Sequence, residues 1–175
     1  MRKIIESTLL SLDGGFEDPH IWASEYFDQE AEQYALDLLL KADAMLMGRR
    51  TYEFFAAAFP HRTGEYGARV NGIRKYVLSS TLANAEWSNS TIVRGDIAAE
   101  VKALKEADGK DLVVYGHGLL ATTLLQRGLI DEIKLWIHPL FLNRPKGGAQ
   151  SPNKLSLVGA RVLKSGVIVA TYRPN

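Results

Sequence analysis

The stretch Ala44-Met45-Leu46-Met47-Gly48-Arg49-Arg50-Thr51-Tyr52-Glu53-Phe54-Phe55 decides the fold. It is apolar through Met47, breaks at Gly48 and resumes with a different period. A short apolar run between polar flanks reads as a buried strand. Tyr52, Phe55, Ala56 and Phe59 then recur at helical spacing, which predicts a helix from about Thr51 with Thr51 as its cap. Gly48 lets the chain turn tightly or approach a ligand closely. Arg49 and Arg50 add two fixed positive charges beside the free N–H groups of a helix start. The corner reads as a seat for phosphate or pyrophosphate. A plain strand–helix corner with surface arginines is the alternative.

The chain has 175 residues, which suggests one domain, residues 1–175, with room for a real core. Hydrophobic residues make up 46% and charged residues 23%, as in ordinary globular proteins. A net charge of +1 provides no broad field toward nucleic acid or a membrane surface, so the arginines act locally or not at all. The absence of cysteine excludes disulfides, thiolate catalysis and cysteine-ligated metals. His20, His61, His117 and His138 show no zinc-ligand spacing, and no metal is expected. No apolar run reaches membrane-span length, and the amino terminus meets Glu6 before any signal-peptide core forms. A cytoplasmic protein is expected.

Outward from the central stretch, residues 3–12 read as a strand ending in the turn Ser11-Leu12-Asp13-Gly14-Gly15. Residues 28–41 read as a helix with Ala31, Tyr34, Ala35, Leu38 and Leu39 on its apolar face. Residues 60–72 read as a polar loop. Strands are expected over 75–78 and 90–94, then a helix over 97–107 with Asp96 as its N-cap. A strand over 112–115 and a helix over 119–126, stopped by Gly128, come next. Residues 131–142 read as a long strand containing Pro139, hence bent or at an edge. Residues 143–153 read as a loose segment. A hairpin over 156–163 and 167–172 closes the chain. Strands alternating with helices imply a mostly parallel sheet with an antiparallel end.

Open α/β sheets bind ligands at the carboxyl ends of their strands. Besides the arginine corner, three such ends carry suggestive chemistry. Ser11-Leu12-Asp13-Gly14-Gly15 is a flexible turn. Leu78-Ser79-Ser80 offers hydroxyls, or is simply a polar turn. Gly116-His117-Gly118 opens a helix and permits a second anion seat. Two seats suit a dinucleotide, although no Gly-x-Gly-x-x-Gly fingerprint is present. Glu32, one turn into the first long helix, is the candidate acid for gripping a heterocycle or orienting a proton donor; a solvated helix residue is the other reading. No Gly-x-Ser-x-Gly frame or triad order supports hydrolase chemistry.

In series, Ser11-Leu12-Asp13-Gly14, Met47-Gly48-Arg49-Arg50-Thr51-Tyr52-Glu53, Val77-Leu78-Ser79-Ser80, Val114-Tyr115-Gly116-His117-Gly118 and Gly128-Leu129-Ile130-Asp131-Glu132 resemble the dihydrofolate-reductase-like superfamily. The nearest likeness is to stand-alone proteins related to the reductase (C-terminal) domain of the bifunctional riboflavin-biosynthesis deaminase–reductase. The resemblance spans residues 3–172. It implies a three-layer α/β fold, with an eight-stranded, mostly parallel sheet, an antiparallel C-terminal hairpin and helices on both faces. It also implies NADPH as cofactor. Carried over by motif, Gly48, Arg49, Arg50 and Thr51 hold the cofactor phosphates. Leu78, Ser79 and Ser80 flank the adenosine, with Arg49, Ser80 and Arg94 near its 2′-phosphate. Gly116, His117, Gly118, Leu119 and Leu120 lie on the pyrophosphate and nicotinamide side.

Three positions depart from the superfamily's patterns. Glu32 falls near the acid that grips the pterin in folate reductases, but Trp136 stands about where a threonine assists that acid. Residues 54–60 replace the Asp-Asp-Pro stretch of riboflavin-pathway reductases. Gly116-His117 replaces a Gly-Gly pair. The resemblance implies a reductase of a pyrimidine or pteridine-like heterocycle, similar to 5-amino-6-(5-phosphoribosylamino)uracil reductase. The alternatives are an NADP(H)-binding protein without reductase activity, or a dihydrofolate reductase. It further implies a homodimer, with Leu155, Leu157, Val167 and Val169 as candidate contact residues.

Overall fold

The structure is a computed structural model that describes residues 1–143 and 154–175. Eight strands form one sheet: β1 (Ile4–Ser11), β2 (Ala42–Gly48), β3 (Arg74–Leu78), β4 (Ser90–Val93), β5 (Asp111–Tyr115), β6 (Glu132–His138), β7 (Leu155–Val162) and β8 (Ile168–Pro174). Their spatial order is β4-β3-β2-β5-β1-β6-β8-β7. The strands from β4 to β6 pair in parallel, and β8 and β7 add antiparallel at one edge. The connections carry α1 (Pro19–Trp22), α2 (Gln29–Leu40), α3 (Arg49–Ala58), α4 (Gly64–Gly72), α5 (Ile97–Glu106) and α6 (Leu119–Gln126). No helix among the described residues is long and apolar enough to cross a membrane.

β2 is buried on both faces, which explains its unbroken apolar run. Successive side chains of a strand point to opposite sides. Met45 and Met47 therefore join one core, with Ala31, Ala35 and Leu39 of α2, Tyr52 of α3, and Tyr66 and Val70 of α4. Ala44 and Leu46 join the other, with Val101 of α5 and Leu120, Ala121 and Leu124 of α6. The helices thus divide by face: α2, α3 and α4 on the first, α5 and α6 on the second.

Several boundaries differ from the sequence reading, each for a local reason. α3 begins at Arg49 rather than Thr51, because β2 stays extended up to Gly48 (φ −75°, ψ 165°) and the chain turns within one residue. Gly48 is the cap, and Thr51 sits inside the first turn. Residues 60–72 are not simply a polar loop. They contain α4, whose Tyr66 and Val70, four residues apart, bury against the first core. Gly67 allows that helix to close on the preceding loop, since a Cβ there would sit 2.5 Å from the Arg62 carbonyl oxygen. β6 stops at His138, before Pro139, which has no N–H for a ladder. Asp28 and Asp96 cap α2 and α5 by accepting from the Ala31 and Ala99 N–H groups, at 2.9 and 2.8 Å. The loose segment read over 143–153 lies outside the described residues apart from Asn143. Of the candidate dimer residues, Val167 and Val169 are each 1% exposed, inside the first core, and cannot form a contact surface; Leu157 faces outward at 62%.

Lys75 on β3 is fully buried. Its ammonium donates to the Asn71 and Ser88 carbonyls at 2.6 and 3.0 Å and lies 4.0 Å from the Trp87 ring centroid. Burial pushes its pKa down to about 8. Lys75→Met removes a desolvated charge but leaves the Ser88 carbonyl without its donor and the Asn71 carbonyl with only the longer 3.3 Å bond from the Ser88 hydroxyl, and the second effect dominates. Urea unfolding of Lys75→Met should show a loss of about 1–3 kcal/mol; an equal or higher midpoint would refute this account of Lys75.

Candidate functional site

Parallel pairing from β4 to β1 brings the carboxyl ends of five neighbouring strands to one edge of the sheet. Gly48 pairs with Leu78, and Leu78 with Val93, so the ends of β2, β3 and β4 are level. Leu46 pairs with Val114, which sets Gly48 beside Gly116. β1 and β6 run on together past β5, from Thr8↔Leu135 to Ser11↔His138, and form a raised wall. The loop after β5 leaves for the second face with α6, whereas the loops after β1 and β2 leave for the first face with α2 and α3. Loops that part in opposite directions leave a crevice between them, the usual ligand site of open α/β sheets. A Cβ on Gly48 would lie 3.9 Å from Leu120 Cβ, so the two loops are close neighbours.

Two helix starts open on this crevice without side-chain caps. Gly48 precedes α3 and Gly118 precedes α6, and neither N-cap supplies an acceptor. First-turn N–H groups left this way suit an anion. Arg50 is exposed and has no partner among the described residues. Arg49 donates from Nε to Glu53 at 2.7 Å and from Nη1 to the Thr81 hydroxyl at 3.2 Å, which leans it toward the end of β3. The Arg49–Glu53 pair is exposed and four residues apart on a helix, a geometry worth only about 0.3–0.5 kcal/mol. A charge-assisted bond to phosphate, about 1.5–3 kcal/mol, outcompetes it.

Other members of the site play narrower parts. Ser79 accepts from the Thr81 and Leu82 N–H groups at 3.2 and 3.0 Å, so its hydroxyl shapes the loop; Ser80 is exposed. Arg94 also holds that loop, donating to the Ser80 and Leu82 carbonyls at 3.0 and 2.7 Å, with a longer contact of 3.4 Å to Ser79. Leu78 and Leu120 are buried in the second core, and only their backbones reach the edge, whereas Leu119 is 82% exposed at the start of α6. Asp13 fastens the loop after β1: it accepts from the Ser11 hydroxyl at 2.6 Å and from the Leu142 and Asn143 N–H groups at 3.0 and 2.8 Å. These bonds, the Ser11 hydroxyl first, hold its carboxyl down at about 2.

Glu32 lies apart from the phosphate-side cluster. Its carboxylate is 3.8 Å from Arg62, whose guanidinium is 5.3–5.5 Å from the Phe27, Phe59 and Tyr66 ring centroids. Tyr66 and Tyr115 are close enough to influence each other's hydroxyls, and burial pushes both upward in pKa. Tyr115 also stacks on Phe55 at 5.5 Å. An aromatic group therefore links Glu32 to the end of β5, one residue from Gly116. Trp136 donates from Nε1 to the Ser7 hydroxyl at 3.0 Å, tying β6 to β1 behind this group. Two open concavities lie elsewhere. One, of about 440 Å³, lies between the start of α2 and Arg161 and Lys164; the other, of about 620 Å³, lies around Arg74, Trp87 and Asn89. Neither touches the carboxyl ends of β2, β3, β4 or β5, and chemistry argues for that edge over volume.

Residues 2–169 match the family described as the RibD C-terminal domain. The chain belongs to this family. A relative from Bacillus subtilis (strain 168), "Uncharacterized protein YyaP", is 29% identical over 182 residues, covering 99% of this chain and 96% of its own. Among solved structures, a Shewanella sp. PV-4 protein assigned to riboflavin biosynthesis superposes with a TM-score of 0.74 at 20% identity, covering 99% of both chains. A pyrimidine reductase-like protein from Corynebacterium diphtheriae gives 0.73 at 13% identity, over 99% of this chain and 92% of that one. Acinetobacter baumannii RibD gives 0.66 at 16%, over all of this chain and 58% of the longer one. These likenesses establish the α/β fold of the RibD C-terminal domain.

Two residues of this RibD C-terminal domain escaped the sequence reading. Glu6 is a fully buried carboxylate on β1, hydrogen-bonded to His117. An acid inside an apolar strand was the available signal. Arg62 was assigned to a polar loop, and its aromatic surroundings come from three separate elements. Gly48 has a different justification from the one expected. Its φ of −75° suits any residue, and a Cβ meets nothing closer than 3.9 Å. Gly48→Ala should therefore leave the denaturant midpoint unchanged within about 0.5 kcal/mol. A large loss would show that this glycine serves the fold rather than the edge.

Proposed function

We propose that the protein is an NADPH-dependent reductase of a pyrimidine or pteridine-like heterocycle, related in chemistry to 5-amino-6-(5-phosphoribosylamino)uracil reductase. One observation carries the reading: uncapped helix starts, a free arginine and bare glycine backbone meet along one step of the sheet. The donor set fits a phosphorylated dinucleotide. N–H groups of α3 and α6 suit its diphosphate. Arg49, Arg50 and Ser80 suit a 2′-phosphate at the β2–β3 end, with Thr51 in the same first turn, while Ser79 and Arg94 hold the loop that presents Ser80. Gly48, Gly116 and Gly118 admit close backbone approach, since a Cβ at Gly116 or Gly118 meets nothing within 4 Å. Leu119 and Phe16 give the nicotinamide side an apolar lining.

Bound NADPH supplies the hydride. The protein's share is to hold the ring against its acceptor and exclude water, for which the β1–β6 wall and the aromatic group around Phe27, Phe55 and Tyr115 are placed. Glu32, in this reading, delivers or orients a proton at the substrate through water. Its approach to Arg62 favours a second reading, a binding protein of the same fold without reductase activity. NADPH oxidation over a panel of aminopyrimidines, pterins and quinones separates the two. Turnover that falls in Glu32→Gln supports the reductase; micromolar NADPH binding with no turnover supports the binding protein. A homodimer belongs to the same proposal, with Leu157, Val158 and Val162 of β7 as its outward apolar residues.

The phosphate assignment has a direct test. Losing two charge-assisted contacts at about 1.5–3 kcal/mol each should weaken NADPH binding tenfold or more while sparing NADH. Fluorescence titration of Arg49→Ala/Arg50→Ala with both cofactors measures this. An unchanged preference for NADPH would remove the two arginines from the site.

A further inference from the structure

Glu6 is fully buried on β1, yet it carries one of the most polar side chains in the second face of the sheet. Its Oε1 accepts from the Thr8 hydroxyl at 2.9 Å and from His117 Nδ1 at 2.7 Å. Its Oε2 is buried with no hydrogen-bond partner among the described residues. A buried carboxylate is costly unless a cation accompanies it. His117 is the one ion-pair partner Glu6 has among the described residues. The histidine sits between Gly116 (φ +80°) and Gly118, the residue that opens α6. With Nδ1 turned inward to Glu6, Nε2 lies on the far side of a ring whose side chain is 37% exposed, and Phe16 packs edge-on at 5.8 Å.

We propose that Glu6 is a positioning residue that keeps His117 cationic, with its Nε2–H presented as a charged donor to the diphosphate of the dinucleotide at the start of α6. The proposal rests on the cofactor reading above and adds to it a titrating contact, unlike the arginines, whose charge is fixed. It also assigns the contacts by chemistry: Arg49 and Arg50 read the 2′-phosphate, which NADH lacks, whereas His117 reads a diphosphate that both cofactors share.

Neighbouring elements leave the pair electrostatically simple. On this side of the sheet β1 adds Thr8, β5 adds Leu112 and Val114, β6 adds Ile133 and Leu135, and α6 adds Leu120 and Ala121, none of them titratable; the Lys105–Asp131 ion pair stands at the amino end of β1, where Asp131 accepts from the Ile4 N–H, and Glu6 is the charged group that acts on His117. The hydrogen bond that His117 Nδ1–H donates to Glu6 raises the His117 pKa above the ordinary histidine value, against the opposing effect of burial. A raised value means that the imidazolium contact is fully present below about pH 6.5 and is lost as pH rises through the folded value.

Titrating NADPH and NADH from pH 6.5 to 9 tests the idea, a window above the second ionisation of the 2′-phosphate at about 6. Both affinities should fall several-fold with rising pH in the wild type. His117→Gln should weaken both cofactors by the same factor at pH 6.5 and flatten both profiles. Glu6→Gln should move the transition to lower pH. Proton NMR of the His117 Cε1–H supplies a readout without cofactor: its titration should drop in Glu6→Gln. Should Glu6→Gln fail to fold, His117→Gln carries the binding test alone. Tight dinucleotide binding with pH profiles identical in wild type and His117→Gln overturns this inference and spares the cofactor reading. No dinucleotide binding at any pH overturns both, and an NMR titration unmoved by Glu6→Gln overturns the positioning role.

Discussion

Everything at the candidate site depends on where β5 inserts. It pairs between β2 and β1, and its following loop departs to the opposite face from theirs. Backbone hydrogen bonding fixes this arrangement, and the apolar faces of α2 and α4 on one side and α5 and α6 on the other bury against it. Where helices cover both faces of the sheet, its strand ends are what remains to bind a ligand. The parting loops then leave backbone N–H groups uncovered, where a ligand can complete them.

The edge is chemically divided along its length. Toward β3 and β4 it is cationic and hydroxyl-bearing, through Arg49, Arg50 and Ser80, and Arg94 braces the loop from behind. Toward β1 and β6 it is walled and aromatic: Phe27 packs beside Trp136 and Phe55 stacks on Tyr115, and Phe59 and Tyr66 join the two pairs. Glu6 and His117 stand at the junction. A molecule with anionic and flat apolar ends matches that gradient. Membership of the RibD C-terminal domain family accounts for the fold, which the structural neighbours share. The RibD chain of Acinetobacter baumannii is longer, and this chain spans 58% of it.

The central strand and the helices around it were legible because their signals are local. The run through Met47, the cap Asp96 and the boundaries of α6 follow from periodicity and capping chemistry within a dozen residues. α4 was not legible. Only Tyr66 and Val70 carry its apolar signal, and glycines at 64, 67 and 72 read as loop. Gly67 serves close packing on Arg62, a contact that no window of sequence reveals.

Sequence alone determined that the chain forms alternating strands and helices, that Gly48-Arg49-Arg50 ends a buried strand, and that Gly116-His117-Gly118 opens a helix. These are properties of neighbours along the chain, set by backbone freedom and side-chain period. Tertiary structure decided which of those ends meet. It placed Gly48 beside Gly116, turned Arg94 and Ser79 into supports of a loop, set Glu32 against Arg62, and buried Glu6 under His117. The physical reason is that strand order and register are chosen by the packing of whole faces, and 111 residues of chain separate Glu6 from the histidine it holds.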